Sequence, residues 1–148
     1  MRRVFNILAI LGSAMFAGVM LAIGVTLGGY WKSLPAADFL DWFGQNNRFI
    51  MHVIPLVVVP AVLGLAGSVW LGWSDGKTRA LWIGAMLCIV AVLVLTVTWF
   101  VPSNAQFSAK SIPLDQVTAR LNIWLMVHNV RIALAMVGAL LGILAVSR

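Results

Sequence analysis

Charged side chains are scarce in this sequence, and acidic ones most of all. Its 148 residues include four acids, all of them aspartate, and only 9% of the residues are charged, whereas 62% are hydrophobic and the mean hydropathy is +1.02. Soluble domains are roughly 45–50% apolar and about 25% charged. A water-soluble fold with so few charges could not cover its own surface, so we expect the lipid bilayer to cover much of it.

Several classes of site are excluded because their motifs are missing. The sequence has no HExxH or CxxC motif and no cluster of carboxylates, which argues against a zinc or di-iron carboxylate site. Its one cysteine, Cys88, cannot form an intrachain disulfide. The net charge is +6, but almost all basic residues lie at the chain ends and between apolar runs, where lipid headgroups would hold them. Nucleic acid is therefore not an expected partner.

Long apolar runs are what the sequence has in abundance. Each is long enough to cross roughly 30 Å of hydrocarbon at about 1.5 Å per residue. The runs cover about residues 4–27, 50–73, 80–101 and 121–146. The sequence therefore predicts an all-α fold, a single-domain integral membrane four-helix bundle.

The segments between the runs predict how the chain crosses the bilayer. Residues 35–43 suit a short amphipathic interfacial helix in the first outer loop. The basic residues divide into Arg2, Arg3, Lys77, Arg79 and Arg148 on one side and Lys32, Arg48, Lys110 and Arg120 on the other. By the positive-inside rule both termini are cytoplasmic, in a bacterial-type inner (plasma) membrane. The first run is longer than the apolar core of a secretory signal, about 7–15 residues, so we expect it to be retained as a span.

Small residues recur at helical spacing within the runs. They let helix backbones approach closely where lipid removes the usual hydrophobic drive between helices. These residues are Gly24 and Gly28, Gly138 and Gly142, and the ridge Ala14, Gly18 and Ala22. The pattern predicts a packed bundle, and self-association as a homo-oligomer is also compatible with it.

Arg131 is the most informative residue of the chain. It lies about ten residues into the fourth run. A central arginine costs roughly 2.5–3.5 kcal/mol on membrane-insertion scales, and such charges usually serve a function. No Asp or Glu lies in any run. Its partners must therefore be carbonyls, amides, water, a loop aspartate reaching inward or an anionic ligand; the alternative is a snorkelling or purely structural arginine.

A polar face surrounds this arginine on the predicted fourth helix. Trp124, His128 and Arg131 are spaced i, i+4 and i+7 and so share one helical face, flanked by Asn129. Further polar and aromatic residues are expected in the same outer half of the bundle, namely Trp31, Arg48, His52 and Asn104. One reading of His52 and His128 is that they ligate haem or copper.

Two motifs in this region resemble a known family. Pro102-Ser103-Asn104 follows the third run, and Trp124 followed by His128-Asn129-Val130-Arg131 lies early in the fourth. In this respect the chain resembles the anthrone oxygenases, a family of four-span membrane proteins. Phe16-Ala17-Gly18 and Gln45-Asn46-Asn47 also fit. Relatives often have Asn-His-Val-Arg where this chain has His-Asn-Val-Arg, and moving the imidazole by one residue turns it about 100° around the helix.

The resemblance implies oxidation of an activated aromatic CH₂ to a carbonyl by O₂, without a cofactor. In that reaction neutral His128 would remove a proton, Arg131 and Asn104 would stabilise the resulting anion, and Trp124 would stack on the rings. Asn129, His52, Arg48 and Trp31 would help to bind the substrate. The prediction is thus a membrane oxygenase or oxidoreductase acting on a lipophilic aromatic or quinol-like molecule in an outer-half pocket. Alternatives are a structural or accessory subunit and the haem- or metal-binding protein considered above.

Overall fold

Four long helices make up the computed structural model, which describes residues 1–147. They are α1 (Arg2–Ser33), α2 (Ala36–Leu71), α3 (Gly76–Ser108) and α4 (Leu114–Val146). No strand occurs in the described part of the chain. The prediction of an all-α four-helix architecture is confirmed.

Large apolar side chains on the surface of the bundle identify its solvent as lipid. Each helix has a stretch of at least 18 residues that is apolar enough to cross a membrane, and much of each stretch is exposed. Exposed side chains include Leu11, Val25, Leu56, Val97 and Leu140. A surface of this kind in water would aggregate, so the chain is a multi-pass membrane protein.

The helices extend well beyond the predicted spans, and this corrects the expected first loop. Only Leu34 and Pro35 separate α1 from α2, and residues 36–43 are the first turns of α2. There is no separate interfacial helix because no proline lies between Pro35 and the second apolar run, and the helix continues through Gly44. Pro35 itself suits a helix start, and Asp38 in the first turn favours it electrostatically. The helix also continues through Pro55 and Pro60.

The chain runs up and down, so its two ends differ. Both termini and the connection at residues 72–75 lie at one end, which we call the terminal end; the connections at residues 34–35 and 109–113 lie at the other, the far end. Asp75 caps α3 by accepting a hydrogen bond from the Lys77 backbone N–H at 3.2 Å. The far end corresponds to the side predicted to face outward; that orientation stays a prediction, and Arg148 lies outside the described residues.

Glycine sets the closest approach between α1 and α2. A Cβ on Gly12 would lie 2.4 Å from the Ala61 backbone nitrogen, and one on Gly64 would lie 2.1 Å from that of Ala9. Two further predicted pairs also pack closely, Gly24 and Gly28 against α4 and Gly138 and Gly142 against α3. The predicted ridge around Gly18 does not pack within the chain, since a Cβ there would meet nothing within 4 Å.

Replacing Gly12 with alanine should destabilise the bundle, because the new methyl group would meet backbone atoms of α2, which cannot move aside like a side chain. We expect a loss of about 1–3 kcal/mol, the usual effect of overpacking, measured as a lower unfolding midpoint in detergent. Gly18→Ala on the same helix is the matched control and should leave the midpoint unchanged or slightly raised. Equal midpoints for both variants would contradict the packing described here.

Candidate functional site

A cavity lies in the half of the bundle nearer the far end, and all four helices contribute to it. The empty space between its walls is about 580 Å³, a figure that includes the open mouth. Its wall is mostly aromatic and aliphatic, and its lining residues include no acid. They are Phe16, Met20, Ile23 and Trp31 of α1; Phe43, Asn47, Ile50, Met51 and Ile54 of α2; Leu93, Thr96, Phe100, Val101 and Asn104 of α3; and Trp124 and Arg131 of α4.

Arg131 is the charged group of this cavity. It is only 6% exposed and points into the bundle rather than at lipid. Its Nη1 donates to Thr96 Oγ1 at 3.2 Å and its Nη2 to His128 Nδ1 at 2.6 Å. The guanidinium carbon lies 3.3 Å from the centre of the Phe100 ring, a cation–π contact. None of these partners carries a formal negative charge, so the positive charge is not neutralised within the described chain.

The hydrogen bonds of His128 determine its tautomer. A guanidinium has only donors, so Nδ1 of His128 accepts from Arg131 and carries no proton. Nε2 then carries the proton and donates to the Met20 backbone carbonyl at 2.8 Å. The neutral ring is fully buried and stacks on Trp124, with the ring centres 5.0 Å apart. His128 therefore stands behind Arg131, outside the cavity wall, with both nitrogens occupied.

Two π-helical segments lie beside this Arg131–His128 pair. In α3, Thr96–Phe100 is π-helical, and its first and last residues are the two that contact the guanidinium. The Thr96 hydroxyl donates to the Val92 carbonyl at 2.7 Å, which leaves its oxygen lone pair to accept from Arg131. In α1, Ile23–Leu27 is π-helical and contains Gly24. Short π segments of this kind are frequent at functional sites.

Gly24 lets the imidazole approach α1. A Cβ at this position would lie 3.0 Å from His128 Cδ2 and 2.7 Å from Ile132 Cδ1. Any larger residue would push His128 away from the Met20 carbonyl. The Gly24 of the predicted packing pair thus helps to place the site.

The end of the cavity nearer the far end is formed by tryptophans. Trp124 Nε1 donates to Asn104 Oδ1 at 2.9 Å. The NH₂ group of Asn104 therefore remains as a hydrogen-bond donor. Trp31 packs edge-on against Trp124, with ring centres 5.5 Å apart, and is 1% exposed. Its indole N–H is buried without a partner.

Two buried donors therefore lack acceptors in one cavity. They are Trp31 Nε1 and Arg131 Nε, and the only other buried, unpartnered side-chain atom in the described chain is Ser13 Oγ, which is not in the cavity wall. A buried donor without an acceptor costs about 1–3 kcal/mol, and more when it is charged. The residues that line the cavity thus include buried N–H donors without an acceptor and no acidic side chain that could accept from them.

The predicted site residues separate into two groups. The structure brings Trp31, Asn104, Trp124 and Arg131 together around the cavity, with His128 behind them. Arg48, His52 and Asn129 are exposed and do not line the cavity. The guanidinium of Arg48 lies 4.8 Å from the centre of the Phe49 ring. Sequence reasoning missed Thr96 and Phe100, since a threonine and a phenylalanine in an apolar run give no distinctive signal.

The residues do not suit the haem or copper alternative. Both ring nitrogens of His128 are engaged by protein groups, and His52 lies on the surface of α2. Within residues 1–147 there is no group of three histidine, cysteine or acidic side chains that could hold a metal ion.

The tautomer of His128 can be tested directly, because the chain has only two histidines. In ¹⁵N-histidine NMR spectra at neutral pH, His128 should show an unprotonated Nδ1 and a protonated Nε2. His52→Gln, on the surface, would assign the two rings. Arg131→Met should shift the Nδ1 resonance, since it removes the donor to Nδ1, and should leave Nε2 protonated, since the Met20 carbonyl still accepts from it. A protonated Nδ1 in the unaltered protein would contradict the arrangement.

Comparison with protein-family models gives one match, the anthrone oxygenase family, over residues 42–141. The match covers more than half of the chain and includes Asn104, Trp124, His128 and Arg131. Searches of curated proteins and of solved structures each found no match. The resemblance noted in the sequence is thereby confirmed, and the chain belongs to the anthrone oxygenase family.

Proposed function

We propose that this protein binds a lipophilic aromatic ketone, phenol or quinol-like molecule in the cavity and promotes its oxidation by O₂. One observation carries the proposal: the guanidinium of Arg131, with no acidic partner, lines a cavity with aromatic walls, and two donors of its lining residues, Arg131 Nε and Trp31 Nε1, are buried without an acceptor in the described chain. A ligand that supplies oxygen acceptors and flat apolar surface would satisfy both features. Family membership supports the same class of chemistry.

The walls of the cavity favour a flat, fused-ring ligand. The Arg131 guanidinium carbon lies 3.3 Å from the centre of the Phe100 ring and 5.7 Å from that of the Trp124 ring, so an oxygen that accepts from Arg131 would lie beside aromatic rings. The ring faces of the ligand would pack against aromatic side chains such as Phe16, Phe43 and Phe100. A second oxygen of the ligand could then accept from Trp31.

The electrostatics of the cavity favour the ionised form of such a ligand. Arg131 supplies a positive charge, and the amide of Asn104 and the indole of Trp31 supply further donors. In a dry site these groups stabilise an enolate or phenolate much more than water-exposed groups would. With no acid in the wall, nothing there repels the developing negative charge.

The reaction balances without a further reactant. Loss of a proton from the activated CH₂ leaves a delocalised carbanion, which adds O₂ to form a peroxide anion. Return of the proton gives the hydroperoxide, which loses water and leaves a carbonyl. The net change is CH₂ plus O₂ giving C=O plus H₂O. Arg131 would stabilise both anions in this sequence.

The proton acceptor in this scheme is His128, the base that the family resemblance implies. Because Arg131 stands between His128 and the cavity, the imidazole can receive a proton only after Nη2 of Arg131 leaves Nδ1. The carbonyl or phenol oxygen of a bound ligand would draw Nη2 toward itself and free Nδ1 before the proton is removed, and the anion that then forms would hold Nη2 there. Binding of the ligand and release of the base would thus be coupled through one side chain.

Oxygen consumption by the purified protein in lipid vesicles with a hydroxyanthrone tests the proposed activity. Arg131→Met should lower kcat by about 10²–10³-fold, the usual effect of losing an oxyanion-stabilising donor. Arg131→Lys should be intermediate, because an ammonium keeps the charge but loses the planar set of donors. Asn129→Gln, exposed on the same helix, is the control and should match the unaltered protein. Equal rates for Arg131→Met and the control would refute the assignment.

A pair of His128 variants separates proton transfer from positioning. Asparagine could accept the Arg131 hydrogen bond through its carbonyl oxygen but has no basic nitrogen. If His128 is the base, His128→Asn and His128→Ala should both lose about 10²–10⁴-fold in kcat. Activity retained by His128→Asn and lost by His128→Ala would instead identify His128 as a positioning residue for Arg131. Undiminished turnover in both variants would remove His128 from the mechanism.

A further inference from the structure

The residues that line the cavity differ in how much of their surface is exposed, and the exposed ones mark its mouth. All lining residues from α1 and α4 are buried. Most of those from α2 and α3 are partly exposed, and two are clearly exposed, Met51 at 41% and Val101 at 48%. The cavity is therefore closed toward α1 and α4 and open between α2 and α3.

The seam between α2 and α3 is also the weakest junction between consecutive helices. The main packing joins α1 to α2 and α3 to α4, with α1 against α4, whereas α2 and α3 contact each other sparsely. The short turn at residues 72–75 holds the two helices together at the terminal end, and Phe39 and Phe43 pack on Phe107 at the far end. Between these two contacts, beside Thr96–Phe100, the seam is sparsely packed.

The far end of the cavity is closed by aromatic rings. Trp31, Phe39, Phe43 and Phe107 are each only 1% exposed and contact one another with ring centres 5.1–6.0 Å apart. A salt bridge between Asp41 of α2 and Lys110 of the last connection ties the same region together. A ligand entering from water at this end would have to displace this whole cluster.

The rim of the mouth is apolar over most of its height. Ile50, Ile54 and Leu93 line its deeper part, and Asn47 and Asn104 its part nearer the far end. The neighbouring exposed residues, Val53 on α2 and Val97 on α3, are apolar as well. Ile50, Ile54, Leu93 and their exposed neighbours fall within the apolar runs 50–73 and 80–101, whereas Asn47 and Asn104 lie just beyond them. The deeper part of the mouth is therefore expected to face lipid.

We infer that a lipophilic ligand enters and leaves the cavity sideways, from the bilayer, between α2 and α3, with Met51 and Val101 as the rim. The identity of this ligand as a substrate rests on the proposed function, but the lateral passage does not. The route admits molecules that dissolve in lipid and excludes charged, water-soluble ones. It also keeps bulk water away from Arg131 while the ligand exchanges.

A membrane-soluble photoprobe tests the passage without any substrate. A small apolar aryl diazirine dissolves in the bilayer and labels the residues that it reaches on illumination. Met20 lines the cavity and is buried, whereas the adjacent Leu21 is exposed to lipid. Residue-resolved mass spectrometry then gives the ratio of Met20 to Leu21 labelling, which measures entry into the cavity against simple exposure to lipid.

Narrowing the rim should lower this ratio severalfold, and widening it should raise the ratio. The double variant Met51→Trp with Val101→Trp narrows it, and Met51→Ala with Val101→Ala widens it. Val53→Trp with Val97→Trp is the matched control, because both positions are exposed on the same two helices but lie outside the cavity wall. Unlabelled Met20 in the unaltered protein, or a ratio that neither rim variant changes, would overturn the inference. Absence of oxygen uptake together with the expected labelling would refute the proposed activity alone.

Discussion

The site depends on a guanidinium held among uncharged partners in the middle of a membrane protein. Arg131 has an imidazole, a hydroxyl and the face of a phenyl ring as its neighbours. A carboxylate would have balanced the charge, but it would also have cancelled the field in the cavity. Neutral partners fix the side chain in place and leave that field available to a ligand anion. The same feature explains why the lining residues include no acid.

Holding the arginine in this way places demands on two other helices. Thr96 must present an oxygen lone pair and Phe100 a ring face, and both lie in the π-helical segment of α3. The imidazole must reach the Met20 carbonyl past Gly24, where a Cβ would lie 3.0 Å from His128 Cδ2. A regular α-helix would place these groups at a different angle, since a π turn shifts the following residues around the axis. The departures from regular helix in α1 and α3 are thus located where the site requires them.

Hydropathy and helical spacing predict much of this arrangement, with identifiable gaps. The four runs, the shared face of Trp124, His128 and Arg131, and the participation of Asn104 all follow from the sequence. The helix ends do not, because a hydropathy run stops at polar residues while the helix continues through them to Ser33 and Ser108. Arg48 and His52 were expected at the site from depth alone. Depth does not give the angle around the helix axis, and both side chains turn outward.

The unpaired charge of Arg131 also determines where the bundle can be open. The effect of an unpaired charge on a ligand is large only where water is excluded, because water would screen the charge and satisfy its free N–H. An opening toward water would therefore weaken the site, whereas an opening toward lipid would not. The buried aromatic rings at the far end and the sparse packing between α2 and α3 fit this requirement together. A ligand arriving from the hydrocarbon layer would bring acceptor oxygens to donors that no water had yet satisfied.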